Sequence, residues 1–540
     1  MKAPRDFRGV WRDDDAARAV YSEAAGIQRI LPRAIAVPAD ADDVATLVRW
    51  AAETTTPLVP RGSGSSMAGG AIGDGVIVDL SRLDTIGEVD TGSRSVRVDP
   101  GAVLGAVNER ALARGLRFPV DPSSWSFCTL GGMASTNAAG ARTVRVGSTR
   151  PWIRALDCVF ADGSRGEVRR GRAMPDVPLV RHFFADVAPA LIAAERERPS
   201  VHDGVRKESS GYGLAAWAQS GELVDLLVGS EGTLALIVGL ELALDPMPAA
   251  TASLLASFRD LESAVAGATA AREAGASACE LLDKTFLDVA AAGPLPVEIP
   301  IGTEAVLIAE VESESASAAS SEAEVIARSF ELAGASAVRH ADTEAAQHQL
   351  WALRHAASPI LAKLDPSLKS MQFVEDGAVP PARLAEYVRG VRAALERHGL
   401  RGVIFGHAGD AHMHVNPLVD VRLPDWRARV EGLLDEVTSL VSALGGTVAG
   451  EHGDGRLRAP LMPRVWSLHA IARFAALKQA FDPLGIFNPG AKVAVAAAEP
   501  LGDVKYDPAL APLPATARAA LDRVERDRAY AHFRLDLLRS

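Results

Sequence analysis

Cysteine is scarce in this sequence. Its 540 residues include three cysteines, Cys128, Cys158 and Cys279, which lie far apart in the chain. An odd number of separated cysteines gives no disulfide framework and indicates a reducing compartment. Clustered C-x-x-C spacing is missing as well, so we expect this chain to carry no iron–sulfur cluster of its own.

Neither a secretory leader nor a membrane-spanning segment is predicted. Residues 1–6 run into the charged stretch 12–15 without an apolar core, unlike a signal peptide. The hydrophobic stretch 223–244 is interrupted by the polar turn 229–233, which a bilayer span would not tolerate. We therefore expect a cytoplasmic protein, and we leave peripheral membrane association and oligomerisation open.

Runs of lysine and arginine are also missing. The net charge is −11, which argues against a nucleic-acid partner and a polybasic membrane anchor. A local positive patch for an anionic substrate is still permitted, because net charge does not describe one pocket. The hydrophobic share of 48% and charged share of 23% are typical of a globular protein, and the length predicts two or three domains.

Short apolar runs alternate with amphipathic stretches, which predicts an α+β fold. A proline-marked break at 245–248 separates a first α+β domain from a second. The predicted strands cover 58–60, 76–80, 95–98, 251–258, 305–311 and 402–416. The predicted helices cover 42–53, 104–114, 261–274, 313–332 and 425–444.

Residues 61–70 form a loop of glycines, serines and one arginine after a short strand. Glycines let backbone N–H groups turn toward an anion, which suits a phosphate-binding concavity. The loop matches neither the P-loop pattern nor a G-x-G-x-x-G that opens a helix, so both of those nucleotide sites are disfavoured. The alternative is an ordinary surface loop. Two more small-residue segments, 131–140 and 229–234, favour a ligand site, although a packed helix–turn would also explain the first of them.

Histidines and acids cluster at two places in the second half. Residues 407–416 contain His407, His412 and His414, and the last two share one face if the segment is extended. Glu451 and His452 follow in the glycine-rich stretch 450–455. Two imidazoles and a carboxylate are a typical set for a divalent cation that keeps positions open for substrate oxygens. The competing interpretation for any one of them is a buried histidine with satisfied hydrogen bonds.

Taken together, these segments resemble the FAD-linked oxidases and dehydrogenases of the vanillyl-alcohol-oxidase superfamily. The resemblance is to the branch of D-lactate, glycolate and D-2-hydroxyglutarate dehydrogenases, and it covers about residues 35–495. It implies an α+β fold with a two-part FAD-binding domain and a C-terminal α+β substrate (cap) domain. The implied boundaries are a lead-in at 1–35, the FAD-binding domain at 36–245, the substrate domain at 246–470, a segment returning to the FAD domain at 471–497 and an accessory tail at 498–540.

The resemblance also implies the cofactor site. FAD is expected to bind non-covalently, because the loop 61–70 lacks the histidine that some relatives use to attach the flavin. The implied cofactor-binding residues are Arg61, Gly62, Ser63, Gly64, Ser65, Ser66, Gly69, Gly70, Gly131, Gly132, Ser135, Thr136, Asn137, Gly140, Glu231, Gly232 and Asn488.

In the same pattern, His407, His414 and Glu451 fall at the positions of the ligands to a divalent metal, zinc or manganese. His452 falls at the position of the catalytic base, and Arg354 at that of the arginine that grips the substrate carboxylate. Further substrate contacts are implied for Ser358, Lys369 and Asn416. His412 departs from the pattern, because this branch usually has asparagine there.

The implied reaction is oxidation of a small D-2-hydroxy acid to the 2-oxo acid, with hydride passing to flavin N5. A flavin is needed because no side chain can accept a hydride. The electrons would then pass to an external acceptor, namely an electron-transfer flavoprotein, a quinone, another carrier or oxygen. Two alternatives remain: a flavin enzyme of the alkyl-glycerone-phosphate-synthase type, and a non-catalytic flavin-binding subunit of a larger oxidase.

Overall fold

The computed structural model describes residues 1–293, 295–354 and 367–539. Its strands are β1 (Val10–Arg12), β2 (Ala34–Val37), β3 (Leu58–Arg61), β4 (Val76–Asp79), β5 (Ser95–Val98), β6 (Leu116–Arg117), β7 (Ile153–Val159), β8 (Arg165–Arg169), β9 (Leu236–Ala243), β10 (Asp245–Pro246), β11 (Ala250–Phe258), β12 (Ala278–Asp283), β13 (Ala305–Ser313), β14 (Ala337–Ala341), β15 (Leu368–Ser370), β16 (Gly377–Ala378), β17 (Arg401–His407) and β18 (His412–Asp420).

The α-helices connect and cover these strands. They span Asp15–Val20, Ala41–Thr54, Leu104–Leu112, Leu130–Thr136, Thr143–Val146, Pro178–His182, Ala188–Glu197, Leu214–Ser220, Leu223–Leu227, Leu261–Glu273, Lys284–Ala290, Ala316–Leu332, Glu344–Arg354, Leu384–Arg397, Trp426–Ala443, Gly455–Arg458, Met462–Val465, Leu468–Phe481 and Ala515–Asp527. Within the described part of the chain, no helix has the length and apolar character needed to cross a membrane.

Two four-stranded sheets come from the first half of the chain. In the first, ordered β1-β2-β4-β3, strands β2, β4 and β3 run parallel and β1 is an antiparallel edge. The parallel strands are short apolar runs with little exposure, as expected for a sheet covered on both faces. The second sheet, ordered β5-β9-β7-β8, is antiparallel throughout. The loop after β3 leaves the carboxyl end of its parallel sheet.

A large antiparallel sheet is built from the second half. Its order is β14-β11-β13-β12-β17-β18-β15, and β16 also pairs with β18. Alternate residues of its central strands point to different cores: Leu254 packs with the long helices Leu261–Glu273 and Ala316–Leu332, whereas Leu255 packs with Phe286 and Leu353 on the other face. Both faces of the sheet are therefore covered.

The single strand predicted over 402–416 is wrong. The chain instead forms a hairpin of β17 and β18, in which His407 pairs with His412. The turn between them includes Ala411 at φ 54°, a left-handed conformation that an apolar period does not indicate. The hairpin places His407 at the end of one strand and His412 and His414 at the start of the next.

The two ends of the chain pack together. Ala17 and Val20 of the helix Asp15–Val20 share one core with Leu521 and Val524 of the helix Ala515–Asp527, and the core includes Val59 of β3. The lead-in also supplies the edge strand β1, which pairs with β2. The tail, which was expected to be accessory, therefore makes a buried contact with β3, the strand that precedes the loop 61–70.

The segment after 470 returns to the first half of the chain. Phe481, at the end of the helix Leu468–Phe481, lies 4.7 Å from Phe183 between ring centroids. Phe487 joins the core beneath β3 and β4. A little further along, the fully buried Lys492 places its ammonium 3.1 Å from both Glu231 Oε1 and Asp454 Oδ2. This ion triad joins three distant parts of the chain.

We predict that Lys492→Met destabilises the fold strongly. It leaves the Glu231 and Asp454 carboxylates buried without their cation, which costs about 3–5 kcal/mol of unfolding free energy. The measurement is urea denaturation followed by tryptophan fluorescence. Lys284→Met is the matched control, because the Lys284–Asp288 pair is solvent-exposed and worth at most about 1 kcal/mol. Equal losses for both variants would contradict a structural role for the triad.

Candidate functional site

One large cavity brings together the two predicted sites. Its volume is about 1040 Å³, and its walls come from the loop after β3, the helix Leu130–Thr136 and the turn end of the β17–β18 hairpin. The predicted residues that line it are Arg61, Gly62, Ser63, Gly64, Ser65, Ser66, Gly70, Gly131, Gly132, Ser135, Thr136, Gly140, Glu231, Gly232, Arg354, His407, His414, Asn416, Glu451 and His452.

Arg61 fixes the loop in place. Its buried guanidinium donates to the backbone carbonyls of Tyr21, Glu23 and Ala71 at 3.0–3.2 Å. Gly64, at φ +74°, lies against this guanidinium, and a Cβ there would come within 2.3 Å of Arg61 Nη2. The hydroxyl of Ser66 is buried in the cavity wall and has no hydrogen-bond partner among the described residues. The guanidinium of Arg61 thus holds the loop against the protein backbone, and its hydrogen bonds go to protein carbonyls.

The second glycine segment is both a packed helix and a cavity wall. Thr129 caps the helix Leu130–Thr136 by accepting from the Gly132 N–H at 3.3 Å. A Cβ on Gly131 would lie 2.6 Å from Pro100 Cβ, so the helix needs glycine for its close packing. The two interpretations of this segment are therefore compatible.

Three residues predicted at the cofactor lie behind the cavity wall. Asn137 accepts from the Arg150 N–H at 2.9 Å, and Gly69 does not line the cavity. Asn488 donates its amide to the carbonyls of Gly70 and Glu231, at 2.9 and 2.7 Å. Asn137 and Asn488 therefore support the wall instead of facing a ligand.

Glu231 connects the cavity wall to the histidine-bearing segment. Its carboxylate accepts the backbone N–H groups of Asp454 and Gly455 at 2.7 and 3.0 Å. Burial raises the pKa of Glu231, and Lys492 opposes that shift. Glu231, which the resemblance implied as a cofactor-binding residue, thus also positions the chain just after His452.

His407, His414 and Glu451 converge on one point. The Nε2 atoms of both histidines lie 3.3 Å from Glu451 Oε1. Each Nδ1 is engaged behind the ring: His407 with Glu280 Oε1 at 2.5 Å, and His414 with the Glu375 carbonyl at 3.1 Å. With a metal bound at the two Nε2 atoms, each Nδ1–H would donate to the oxygen behind its ring, the usual arrangement for metal-binding histidines.

The spacing and chemistry of these three atoms fit a metal ion. Ligands at 2.0–2.1 Å from a tetrahedral zinc ion are separated by about 3.3–3.4 Å, which is close to the two distances found here. Burial raises the pKa of Glu451, but Lys207 and His407 lower it well below the usual range. Glu451 is therefore ionised, as a ligand must be.

The sequence analysis did not identify Lys207 as a residue of this site. Its buried ammonium lies 2.6 Å from Glu451 Oε2, on the side away from the histidines, and donates to the Gly140 carbonyl at 3.2 Å. The sequence analysis also did not identify three acids, Glu280, Glu375 and Asp376. No sequence motif marks an acid that contacts a histidine from a distant part of the chain. These groups orient the predicted ligands from behind.

His452 lies beside this cluster. Its Nδ1 bonds to Glu375 at 2.8 Å, and its Nε2 lies 3.6 Å from Glu451 Oε1. Burial lowers the pKa of His452, but the carboxylates of Glu375 and Asp376 raise it to about 9. Arg458 binds both of these acids and offsets part of their negative charge.

His412 is fully buried beneath the cluster. Its Nε2 bonds to Asp376 Oδ1 at 2.7 Å, and its Nδ1 has no partner among the described residues. Burial lowers the pKa of His412 to about 3, against the opposing effect of Asp376, so the ring is neutral. It stands within 4.8 Å, between ligand atoms, of the three predicted metal ligands.

The predicted substrate residues divide into two groups. Arg354 lines the cavity, with Nε 2.7 Å from Glu280 Oε2 and its guanidinium 4.3 Å from the centre of the Phe405 ring. Asn416 lies two residues after His414 on the same face of β18. Lys369 does not line the cavity, because its ammonium packs 5.3 Å from the Tyr506 ring centre. Ser358 lies outside the described residues.

Two family models match this chain. One, described as FAD binding domain, matches residues 32–169, and the other, described as FAD linked oxidases, C-terminal domain, matches residues 247–491. Over these two segments the chain matches the FAD-linked oxidases. This enzyme is a flavoprotein oxidoreductase with an FAD-binding domain and a C-terminal domain, and both mix helices and sheets, as the sequence predicted.

Several named relatives are similar over most of the chain. The glycolate oxidase subunit GlcD of Bacillus subtilis is 29% identical over 88% of this chain and 93% of its own. The D-lactate dehydrogenase of Archaeoglobus fulgidus is 29% identical over 85% of this chain and 92% of its own. The D-2-hydroxyglutarate dehydrogenase of Pseudomonas putida is 28% identical over 98% of this chain, which spans 54% of that relative.

Solved structures support the fold. A 4-ethylphenol oxidase from Gulosibacter chungangensis, in complex with isoeugenol, has a TM-score of 0.64 at 16% identity, over 89% of this chain and 94% of its own. An alkyldihydroxyacetonephosphate synthase has a TM-score of 0.61 at 15% identity, over 89% and 83%. Because two different chemistries share the fold, this likeness does not indicate the reaction.

We predict that Gly64→Ala weakens FAD binding. Both Gly64 and the control Gly171 have positive φ, so alanine introduces about 1–2 kcal/mol of strain at either position. Only at Gly64 does the added methyl displace Arg61, whose buried hydrogen bonds are worth about 1.5–3 kcal/mol each, so FAD affinity falls roughly tenfold or more. The ratio of flavin to protein absorbance after purification measures this. Full flavin loading of Gly64→Ala would contradict the role of the loop.

Proposed function

We propose that this enzyme uses FAD and a divalent metal to oxidise a small D-2-hydroxy acid to the 2-oxo acid. The observation that carries the proposal is the convergence of His407 Nε2, His414 Nε2 and Glu451 Oε1 within the cavity that the glycine loop lines. Arg354 and His452 line the same cavity. The names of the relatives support a hydroxy acid as the substrate class.

FAD supplies the acceptor for the hydride, and this chain contributes positioning and proton transfer. Gly62, Gly64 and Ser66 are proposed to face its phosphates, with the other cavity-lining residues of the loop and of the helix Leu130–Thr136. The unpaired Ser66 hydroxyl supports this assignment, because a buried polar atom needs a partner.

Arg354 is proposed to bind the substrate carboxylate. Its Nε is held by Glu280, and this contact fixes the plane of the guanidinium at the cavity wall. A planar guanidinium binds a carboxylate through two parallel hydrogen bonds, which orients the acid as well as holding it. Asn416 is proposed to bond to a second oxygen of the substrate, and its position beside His414 on the cavity-facing side of β18 supports this role.

His452 is proposed to take the hydroxyl proton. Its Nδ1 is engaged by Glu375, so Nε2 is the atom that would accept a proton from a ligand in the cavity. A divalent cation bound beside the ring would oppose the rise in the His452 pKa and so favour the neutral form that a base requires. His407, His414 and Glu451 would hold zinc or manganese there, and the metal would act as a Lewis acid toward the substrate hydroxyl and carboxylate oxygens. The pairs behind the rings, Glu280 with His407 and Glu375 with His452, keep both imidazoles in place.

The electrons are proposed to leave for an external carrier, namely an electron-transfer flavoprotein or a quinone. A flavin enzyme of the alkyl-glycerone-phosphate-synthase type is the second candidate for the reaction. The histidine–glutamate cluster favours oxidation over it, because ligands for a Lewis acid suit the activation of a hydroxy acid. A non-catalytic subunit has no need for Arg354 and His452 at one cavity.

Anaerobic reduction of the bound flavin tests the reaction. We expect one of D-lactate, glycolate, D-2-hydroxyglutarate or a longer D-2-hydroxy acid to bleach the flavin absorbance. His452→Ala should slow bleaching by about 10²–10⁴-fold while FAD stays bound, because it removes only the proton acceptor. His469→Ala, at an exposed histidine, is the control and should bleach at the wild-type rate. Lack of bleaching by the whole panel would rule out the proposed substrate class.

Metal content tests the cation site separately. Purified wild-type enzyme should contain about one zinc or manganese ion per chain by elemental analysis, and His414→Ala and Glu451→Gln should lose it, because each removes one of three ligands. Treatment with a chelator should abolish turnover, and adding back the metal should restore it. Full turnover by metal-free enzyme would remove the metal from the proposal and leave the flavin chemistry intact.

A further inference from the structure

The C-terminal segment forms part of the cavity wall. Glu525, Arg526, Arg528 and Tyr530 line the cavity together with the glycine loop. The helix Ala515–Asp527 is followed by Arg528, which adopts a left-handed backbone at φ 52°. Residues 525–534, here called the C-terminal strap, were expected to be accessory. Instead, residues of the strap lie beside the loop 61–70 and line the same cavity.

Ring contacts fix the strap at the loop end of the cavity. Tyr530 stacks on Phe127 with centroids 5.2 Å apart, and Arg528 lies 5.2 Å from the centre of the same ring. Arg534 is buried, lies 5.3 Å from the Tyr530 ring centre and donates to the Ser63 carbonyl at 3.4 Å. The strap thus contacts the glycine loop directly, through Ser63 itself.

The arginines of the cavity are already paired, with one exception. Arg61 donates to backbone carbonyls, Arg142 to Asp121, Arg354 to Glu280, and Arg526 to Asp527. Arg528 has only its ring contact with Phe127, and no carboxylate partner is found for it among residues 1–293, 295–354 and 367–539. Among the arginines that line the cavity, Arg528 is therefore the one available to an anionic ligand.

FAD has one strongly anionic part, its pyrophosphate, and one purine ring system beyond it. If the isoalloxazine ring lies near His452, the pyrophosphate lies at the loop, and the adenosine lies further from the histidines. An arginine without a protein partner suits a phosphate, and stacked aromatic rings suit a purine. Both are found on the strap and on the Phe127 wall that it contacts.

We propose that the C-terminal strap is part of the FAD site, with Arg528 binding the pyrophosphate and the Phe127–Tyr530 pair packing beside the adenosine. The strap retains a flavin that has no covalent bond to the loop 61–70, which lacks histidine. The inference depends on FAD being the ligand of the cavity and not on which acid is oxidised.

Release of FAD measures the effect. Flavin fluorescence rises when FAD leaves the holoenzyme, so dilution gives its release rate and equilibrium titration of the apoprotein gives its dissociation constant. Arg528→Gln should weaken FAD binding by about 10- to 100-fold, the range expected for losing a charged hydrogen bond. Tyr530→Ala should also speed release, whereas Tyr530→Phe keeps the stacked ring and should remain close to the wild type. Arg539→Gln, at an exposed arginine of the same tail, is the control.

Two further readouts separate cofactor contact from simple packing. Added salt should speed FAD release from the wild type, because it screens an arginine–phosphate pair, and Arg528→Gln should lose most of that dependence. Melting temperatures of the apoproteins should be alike for the wild type and Arg528→Gln. Unchanged FAD release and unchanged salt dependence in Arg528→Gln would overturn the proposal, as would a loss of FAD explained by a lower apoprotein melting temperature. Flavin bleaching by the acid panel is independent of these results.

Discussion

A buried ion triad joins two parts of the cavity wall. Lys492 binds Glu231 in the cavity wall and Asp454 just beyond His452, and Asp454 also accepts from Ser210 Oγ and the Gly211 N–H. Four separate stretches of chain therefore meet around one ammonium group. Since an unpaired charge cannot remain there at low cost, the wall segment at Glu231 and the segment that carries Glu451 and His452 have little freedom to move apart.

Buried acids then determine how each site residue points. Glu280 contacts His407 and Arg354, Glu375 contacts His452, and Asp376 accepts the backbone N–H of His452. These acids come from β12 and from the stretch before β16, far from the residues that they orient. Glu280, His407 and His414 stand on strands of the large sheet, and buried acids contact the histidines from behind.

Local sequence predicted the parts of this structure whose cause is local. The apolar runs of β3, β4 and β13 and the amphipathic helix Trp426–Ala443 lie close to their predicted positions, because periodicity and burial follow from neighbouring residues. The glycine loop and the histidine–glutamate cluster were found from composition, and the structure brings them to one cavity. The hairpin turn at Ala411, the position of Lys369 on Tyr506 and the packing of the tail depend on contacts between distant segments, which no single stretch of sequence reveals.

The carboxylate of Glu280 connects the two proposed binding subsites. One carboxylate binds both the arginine proposed to hold the substrate and the histidine proposed to hold the metal, at 2.7 and 2.5 Å. A change in the charge or position of one partner therefore alters the hydrogen bond that Glu280 makes with the other. Occupancy of the anion subsite and occupancy of the cation subsite are therefore thermodynamically linked, and reciprocity requires each to change the affinity of the other by the same factor.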